Sequence, residues 1–315
     1  MPKIWRRKPR SIKRNGPTYS AFPEFADFPM DIQRMIVEVA ASQSKAEALK
    51  LLLVSSSFRQ WTRPMIYRCI ALETPTKLWD LSTDADPEGY QYIVRLLVRS
   101  NPLLDANLLE KCHNLKYLGI IDTQPDPRWA PAEIPFPKDS NASVWARQSS
   151  ISPTHITIFR ANQLGFDEID TYWHPLSIFR NCTHLELNLS FRTCIWVGST
   201  LDFPFHRLTR LTHFAISFGV ALPDAESVEM LVRKALADAH NLRVVVLLFV
   251  KEDISTMWSL DEAALRAISG DKVVKLKSKH SSREREWLRA MSADHRGTMW
   301  QQAERELEAR RRTPS

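Results

Sequence analysis

Cys182-Thr183-His184-Leu185-Glu186-Leu187 has the form apolar-x-x-apolar-x-apolar, and the same form returns along the chain. It stands at Leu115-x-x-Leu118-x-Ile120, at Leu211-x-x-Phe214-x-Ile216 and at Leu242-x-x-Val245-x-Leu247. Two further copies, Pro153-x-x-Ile156-x-Ile158 and Asp271-x-x-Val274-x-Leu276, keep the last two positions and lose the first. The middle apolar residues are 118, 156, 185, 214, 245 and 274, which puts successive copies 38, 29, 29, 31 and 29 residues apart. A short alternating apolar segment at this period predicts one strand per repeat, with neighbouring repeats stacked to bury a continuous core.

The segments between copies fit that scheme. Asp224 to Leu236 has helical spacing and predicts a return path between two strands, and Ser259 to Ile268 can serve similarly. Arg68 to Leu72 and Ile93 to Val98 predict strands leading into the array. The long first gap holds Gln124 to Pro137, whose five prolines continue neither a helix nor a central strand, so residues 121–152 read as an inserted loop. Trp129, Phe136 and Trp145 lie in it, either as partner contacts or folded back over the core. The expected fold class is α/β with parallel strands.

Ahead of the array the periodicity changes. Asp27 and Pro29 predict a helix start, with Asp27 as cap and Pro29 in the first turn. Ile32, Met35, Ile36 and Val39 follow at i, i+3, i+4 and i+7, a face that needs a partner. Ser44-Lys45-Ala46-Glu47 has the form of a capping box opening a second helix. That helix is expected to run through Trp61 and to stop at Pro64. Two short helices with a polar joint predict a small helical bundle.

"FPMDIQRMIVEVA" followed by "LLLVSSSFRQWTRPMIYRCIALE" resembles the F-box-like motif, in the variants abundant in fungal genomes. Pro29, Ile32, Val54, Ser55, Phe58, Arg59 and Trp61 match that motif in type, while Phe28 stands where the family usually has Leu and Asp31 where it often has Glu. The resemblance covers roughly residues 22–72. It implies a substrate-receptor subunit of a cullin-RING ubiquitin ligase, docked on the Skp-type adaptor through Phe28, Pro29, Ile32, Met35, Ile36, Val54, Phe58 and Trp61. The body is similar to leucine-rich repeats in period, though the Asn that those repeats carry at the strand end is missing from most copies, which implies an irregular array. The organisation expected is a basic tail (1–21), an F-box-like domain (22–72), a leucine-rich-repeat-like domain (73–280) and a charged helical C-terminal segment (281–315) covering the open end of the array.

With 315 residues, 44% hydrophobic and 25% charged, the composition is that of an ordinary globular protein. No apolar run approaches the length of a membrane span, and the basic N-terminus leads into no apolar stretch, so neither a span nor a secretory signal is expected. Cys69, Cys112, Cys182 and Cys194 lack metal-ligand spacing, so reduced thiols in the cytosol or nucleus are expected. The formal charge of +7 equals the seven positive charges before Glu24, so the body is near neutral and a nucleic-acid-binding fold is not expected. That basic stretch reads as a nuclear-import signal, a weak phosphate-binding arm or a plain solvated tail.

Within the repeats, the residue before each middle apolar position is Tyr117, His155, His184, His213, Val244 and Val273. This position points away from the repeat core, onto a sheet face expected to be exposed and to bind a substrate. At a strand spacing of about 4.8 Å the three imidazoles would form a ladder. One row over, Thr157, Glu186 and Ala215 put a single carboxylate beside the middle ring. The substrate-binding candidates are therefore His155, His184, His213, Glu186 and Tyr117, with Trp129 from the inserted loop. An in-line ladder is poor geometry for a tetrahedral ion, so no metal and no cofactor are expected. The chain carries no phosphate-cradling Gly-rich loop, no Gly-x-Ser-x-Gly and no His-Glu-x-x-His, and a non-enzymatic role is expected. The alternatives are an interaction scaffold that recruits no ligase, and an enzyme of unrecognised type.

Overall fold

The computed structural model describes residues 24–72, 87–99, 111–121, 151–159, 177–189, 203, 205–218, 225–249, 267–268, 270–278, 283–292 and 298–312. Two compact units divide the chain, Met1–Thr62 and Arg63–Ser315. The inserted loop with Trp129, Cys194 and the basic N-terminal tail lie outside the described residues.

The first unit is helical. Helix α1 spans Met30–Ser42, α2 spans Lys45–Leu51, and α3, Ser56–Tyr67, runs across the boundary between the units. The expected Ser44 cap is present, its hydroxyl accepting from the Glu47 amide at 3.1 Å. Asp27 does not cap α1. Its carboxylate accepts from the Glu24 amide at 2.9 Å and closes a preceding 3₁₀ turn, which leaves Pro29 as the residue flanking α1.

The second predicted helix is in fact two. The hydroxyl of Ser55 accepts from the Phe58 amide at 3.1 Å, which caps a new start and ends the old one. Pro64 lies inside α3 and does not stop it; burial of Ile66 holds the turn that follows, despite the hydrogen bond a proline removes.

The second unit is organised by one eight-stranded sheet. Its strands are β1 (Cys69–Leu72), β2 (Arg95–Arg99), β3 (Tyr117–Ile121), β4 (His155–Phe159), β5 (His184–Leu189), β6 (His213–Phe218), β7 (Val244–Phe249) and β8 (Val273–Lys277). They lie side by side in chain order, and every neighbouring pair is parallel. Both early segments read as strands are therefore strands of this sheet, including β1, which the sequence grouped with the N-terminal helices. The predicted return helix is present as α4, Ala225–Asp238, between β6 and β7.

One backbone device repeats at the start of the strands. Each of the carbonyls of Arg68, Val94, Lys116, Thr154, Thr183 and Thr212 accepts two successive amides of the next repeat, at 2.8 to 3.2 Å. A carbonyl has two lone pairs, so this satisfies the two amides that open each strand. Asparagine amides tie the preceding turns in the same way: Asn114 donates to Gln91 O, Asn181 to Ser152 Oγ and Asn241 to Thr209 O, at 2.7 to 2.8 Å.

The face of the sheet carrying Leu96, Leu118, Ile156, Leu185, Phe214 and Val245 forms the main core with α4 and the turns. The second face is covered as well. Helix α5 (Arg283–Ser292) puts Trp287 against Leu97, Ile121 and Phe159. Helix α6 (Met299–Arg312) puts Met299, Ala303 and Leu307 against Ala215, Val244, Val246 and Leu248. The C-terminal segment thus lies along the sheet, not over the end of the array as the sequence led one to expect. Its apolar stripe and the runs Val244–Phe249 and Leu96–Val98 answer one another, since parallel strands with both faces buried are apolar throughout.

At the last strand the predicted alignment slips by one. The repeat pattern pairs Val245 with Val274, whereas in the structure Val245 pairs with Val273 and Val246 with Val274. A slip of one residue exchanges faces. Val273 joins the main core, while Val274 and Leu276 lie under α6. The apolar demand of α6 is the physical reason, because both faces of β8 must contribute to cover.

Phe214 is fully buried and meets Phe205 edge-on at 4.9 Å between ring centroids. Phe214→Ala is expected to lower unfolding stability by about 3–5 kcal/mol, read from the urea midpoint at unchanged denaturant slope.

Candidate functional site

Two surfaces hold the residues singled out by sequence. The first belongs to the helical unit. Of the residues that the F-box-like resemblance assigns to a partner, Pro29, Met35, Ile36 and Val54 are exposed, while Phe28, Ile32, Phe58 and Trp61 are half-buried. Phe58 sits between Phe25 and Trp61, at centroid distances of 5.5 and 5.7 Å, and so builds an aromatic cluster within the unit. On α1 the buried positions are Val37 and Ala41, an i, i+4 pair on a different side from Met35, Ile36 and Val39. Met30, Met35, Ile36, Val39, Leu49, Leu53 and Val54 remain 40 to 83% exposed.

The second surface is the row at the start of the strands. The aligned residues are Cys69, Arg95, Tyr117, His155, His184, His213 and Val244. The imidazoles do form a ladder: His155 stacks on His184 at 4.0 Å and His184 on His213 at 4.1 Å, with rings within 13° and 7° of parallel. Tyr117 extends it at 4.3 Å from His155, and the Arg95 guanidinium lies 5.4 Å from the Tyr117 ring centre.

Each ring is held by the threonine before it. Thr154, Thr183 and Thr212 bring Oγ within 2.8 to 2.9 Å of the adjacent Nδ1. The Thr183 hydroxyl donates to Thr154 O at 3.1 Å, and Thr212 to Thr183 O at the same distance. A hydroxyl has one proton, so a threonine that spends it on the carbonyl takes its ring bond from an Nδ1–H.

The row is not an open recognition stripe. Trp300 of α6 meets His184 and His213 edge-on at 5.1 and 5.7 Å, and Glu304 approaches His213 Nε2 to 3.2 Å. His213 is buried, and Tyr117 and His155 are half-buried. Burial, and then the neighbouring His155 and His213, push the His184 ring down from 6.5 to about 2. His213 is also lowered, chiefly by burial; Glu304 opposes that shift and Arg243 adds to it.

Glu186 is further still from a substrate contact, being 1% exposed. Arg283 at the start of α5 clamps it with two bonds, Nε to Oε1 at 2.5 Å and Nη2 to Oε2 at 2.8 Å. The guanidinium also meets Glu286 at 3.1 Å and Met299 Sδ at 3.2 Å. Thr157, aligned with Glu186 as the sequence predicted, accepts from the Trp287 indole N–H at 3.1 Å. Gly119 occupies the next place along this row: a Cβ there would come 2.6 Å from Leu97 and 3.1 Å from the Trp287 ring. The polar residues that made this face look solvated in sequence are thus the sockets for the C-terminal helices. The sequence carried one signal of it, Arg283 and Trp287 at i, i+4, which falls on one side of a helix.

No group of histidine, cysteine and carboxylate side chains suited to a metal occurs among the described residues. The thiols of Cys112 and Cys182 are pushed up to about 12 by burial, which removes them as nucleophiles at neutral pH. No helix among the described residues is long and apolar enough to cross a membrane.

Arg283→Ala strands a buried carboxylate and is expected to destabilise by about 3–5 kcal/mol, whereas Arg283→Met with Glu186→Leu should recover most of that loss; chemical denaturation of the three chains checks it. For His184 the sign follows from its lowered value. Above pH 6.5 the ring is neutral in folded and unfolded chains alike. Below it the unfolded chain binds a proton that the folded chain refuses, so stability falls by about 1.4 kcal/mol per pH unit, or about 2 kcal/mol by pH 5. His184→Gln should flatten that slope in urea titrations between pH 7.5 and 5.

No protein-family model matches the chain, and no curated protein matches its sequence.

Proposed function

We propose that the chain is a non-enzymatic substrate receptor of a cullin-RING ubiquitin ligase, docking a Skp-type adaptor through its N-terminal helices. The observation that carries this reading is the set of apolar side chains of the helical unit left exposed among the described residues, Met35, Ile36 and Val39 on one side of α1 with Leu49, Leu53 and Val54 at α2 and its end. Contiguous exposed apolar side chains rimmed by charge mark a protein interface, and Arg34, Glu38, Glu47 and Lys50 supply the rim as ion pairs along the same helices. Met35, Ile36 and Val54 are also positions that the F-box-like resemblance assigns to the adaptor. The parallel-sheet body, similar in period to leucine-rich repeats, then serves to hold a protein substrate. Ubiquitin-transfer chemistry belongs to the partners, and no cofactor is required.

Pull-down of the purified chain with a Skp-type adaptor tests this. Ile36→Ser with Val54→Ser changes only exposed residues and is expected to weaken binding at least tenfold while circular dichroism is unchanged. Failure of the unaltered chain to bind would replace this reading with that of an interaction scaffold that recruits no ligase.

A further inference from the structure

The two C-terminal helices are fixed to the sheet by different chemistry. Helix α5 is latched by the buried Arg283–Glu186 clamp and by the Trp287 indole, which fills the space over Gly119 and donates to Thr157. The Arg283 guanidinium, held above its ordinary value by Glu186 and Glu286, stays charged throughout the neutral and mildly acid range. Helix α6 is held mainly by apolar contact. It buries Met299, Ala303 and Leu307, donates from Arg310 to Val273 O at 3.0 Å, and lays Trp300 and Glu304 on the histidine ladder.

We propose that the ladder makes α6 a pH-sensitive cover: acidification releases α6 from the sheet while α5 stays latched. Three imidazoles in van der Waals contact, two of them beneath Trp300 of α6, can each take a proton in water, but like charges 4 Å apart in a covered site oppose one another. Glu304 can answer one charge, at His213. Among the described residues the charge on His184 meets no carboxylate of its own, since Glu186 on the same strand is already held by Arg283, and His155, His213 and, in the turn before β7, Arg243 are bases or cations. Tyr117 and Arg95 close the far end of the row and bring no carboxylate to it. The remaining way to solvate the added charge is to lift Trp300 and α6. Release uncovers the ladder together with Ala215, Val244 and Val246, an apolar strip of sheet. This device does not depend on the docking role of the N-terminal helices.

Hydrogen–deuterium exchange of the full chain at pH 7.5 and 5.0, corrected for intrinsic rates, tests the proposal. Protonation of His184 on release is expected to raise the opening equilibrium of residues 299–312 about 30-fold across this interval, with less than a threefold change over residues 283–292. His184→Gln should abolish most of that rise. Unchanged protection of 299–312, equal loss in both helices, or a full rise retained in His184→Gln would each overturn the proposal.

Discussion

Both faces of a parallel sheet must be covered, and most of this architecture follows from meeting that demand twice. Eight strands laid side by side in chain order present one face to the turns and to α4, and the other to α5 and α6. On the first face the cover comes from the segments between strands, so it accumulates as the chain winds. The second face receives nothing from the described connections. Among the described residues its cover comes after the last strand, from α5 and α6, so the side chains of β2 to β7 on that face meet segments distant in sequence. Arg283 bonds Glu186, 97 residues away, and Trp287 bonds Thr157, 130 residues away.

The second face is polar in its middle and apolar towards its ends, and the helices divide accordingly. Leu97, Ile121 and Phe159 take the Trp287 side of α5, and Val244, Val246 and Leu248 take the Met299–Leu307 side of α6. Between them lie the ladder and the Glu186 row, where polar atoms are satisfied internally by Thr–His bonds along the strands and by Arg283 and Glu304 from above. A buried ion pair seldom adds stability over apolar packing, but it fixes which helix sits where. Here it gives α5 a unique seat, while the titratable contacts are left to α6. The N-terminal unit shows the opposite economy: its few buried positions leave Met35, Ile36, Val39, Leu53 and Val54 exposed among the described residues, which is why a docking role is proposed for it.

A large part of this was legible in the residues. The recurrence of apolar-x-x-apolar-x-apolar located β3 to β8, the β-rich segments near 70 and 95 located β1 and β2, and helical spacing located α4. The register from Tyr117 to Val244 was legible too, because the period of two fixes which residues of adjacent strands align once the core residues do. That is why the imidazole ladder and the Thr157–Glu186–Ala215 row could be placed before any coordinates. Local signals were less reliable where two compete: Ser55 restarted a helix that looked continuous, and Pro64 was absorbed within α3 where tertiary burial outweighed one lost hydrogen bond.

The sequence by itself determined the strands, their order of recurrence and, from β3 to β7, the identity of the side chains on each face. Only the tertiary structure decided that the second face is closed. Alternating polar and apolar residues describe a sheet with one wet face equally well as a sheet whose polar residues meet partners from far along the chain, and local periodicity carries no term for the distance to a partner. The same reason accounts for β8. Its pattern is compatible with either register, and the apolar stripe of α6, which needed Val274 and Leu276 beneath it, selected the one that turns them away from the main core.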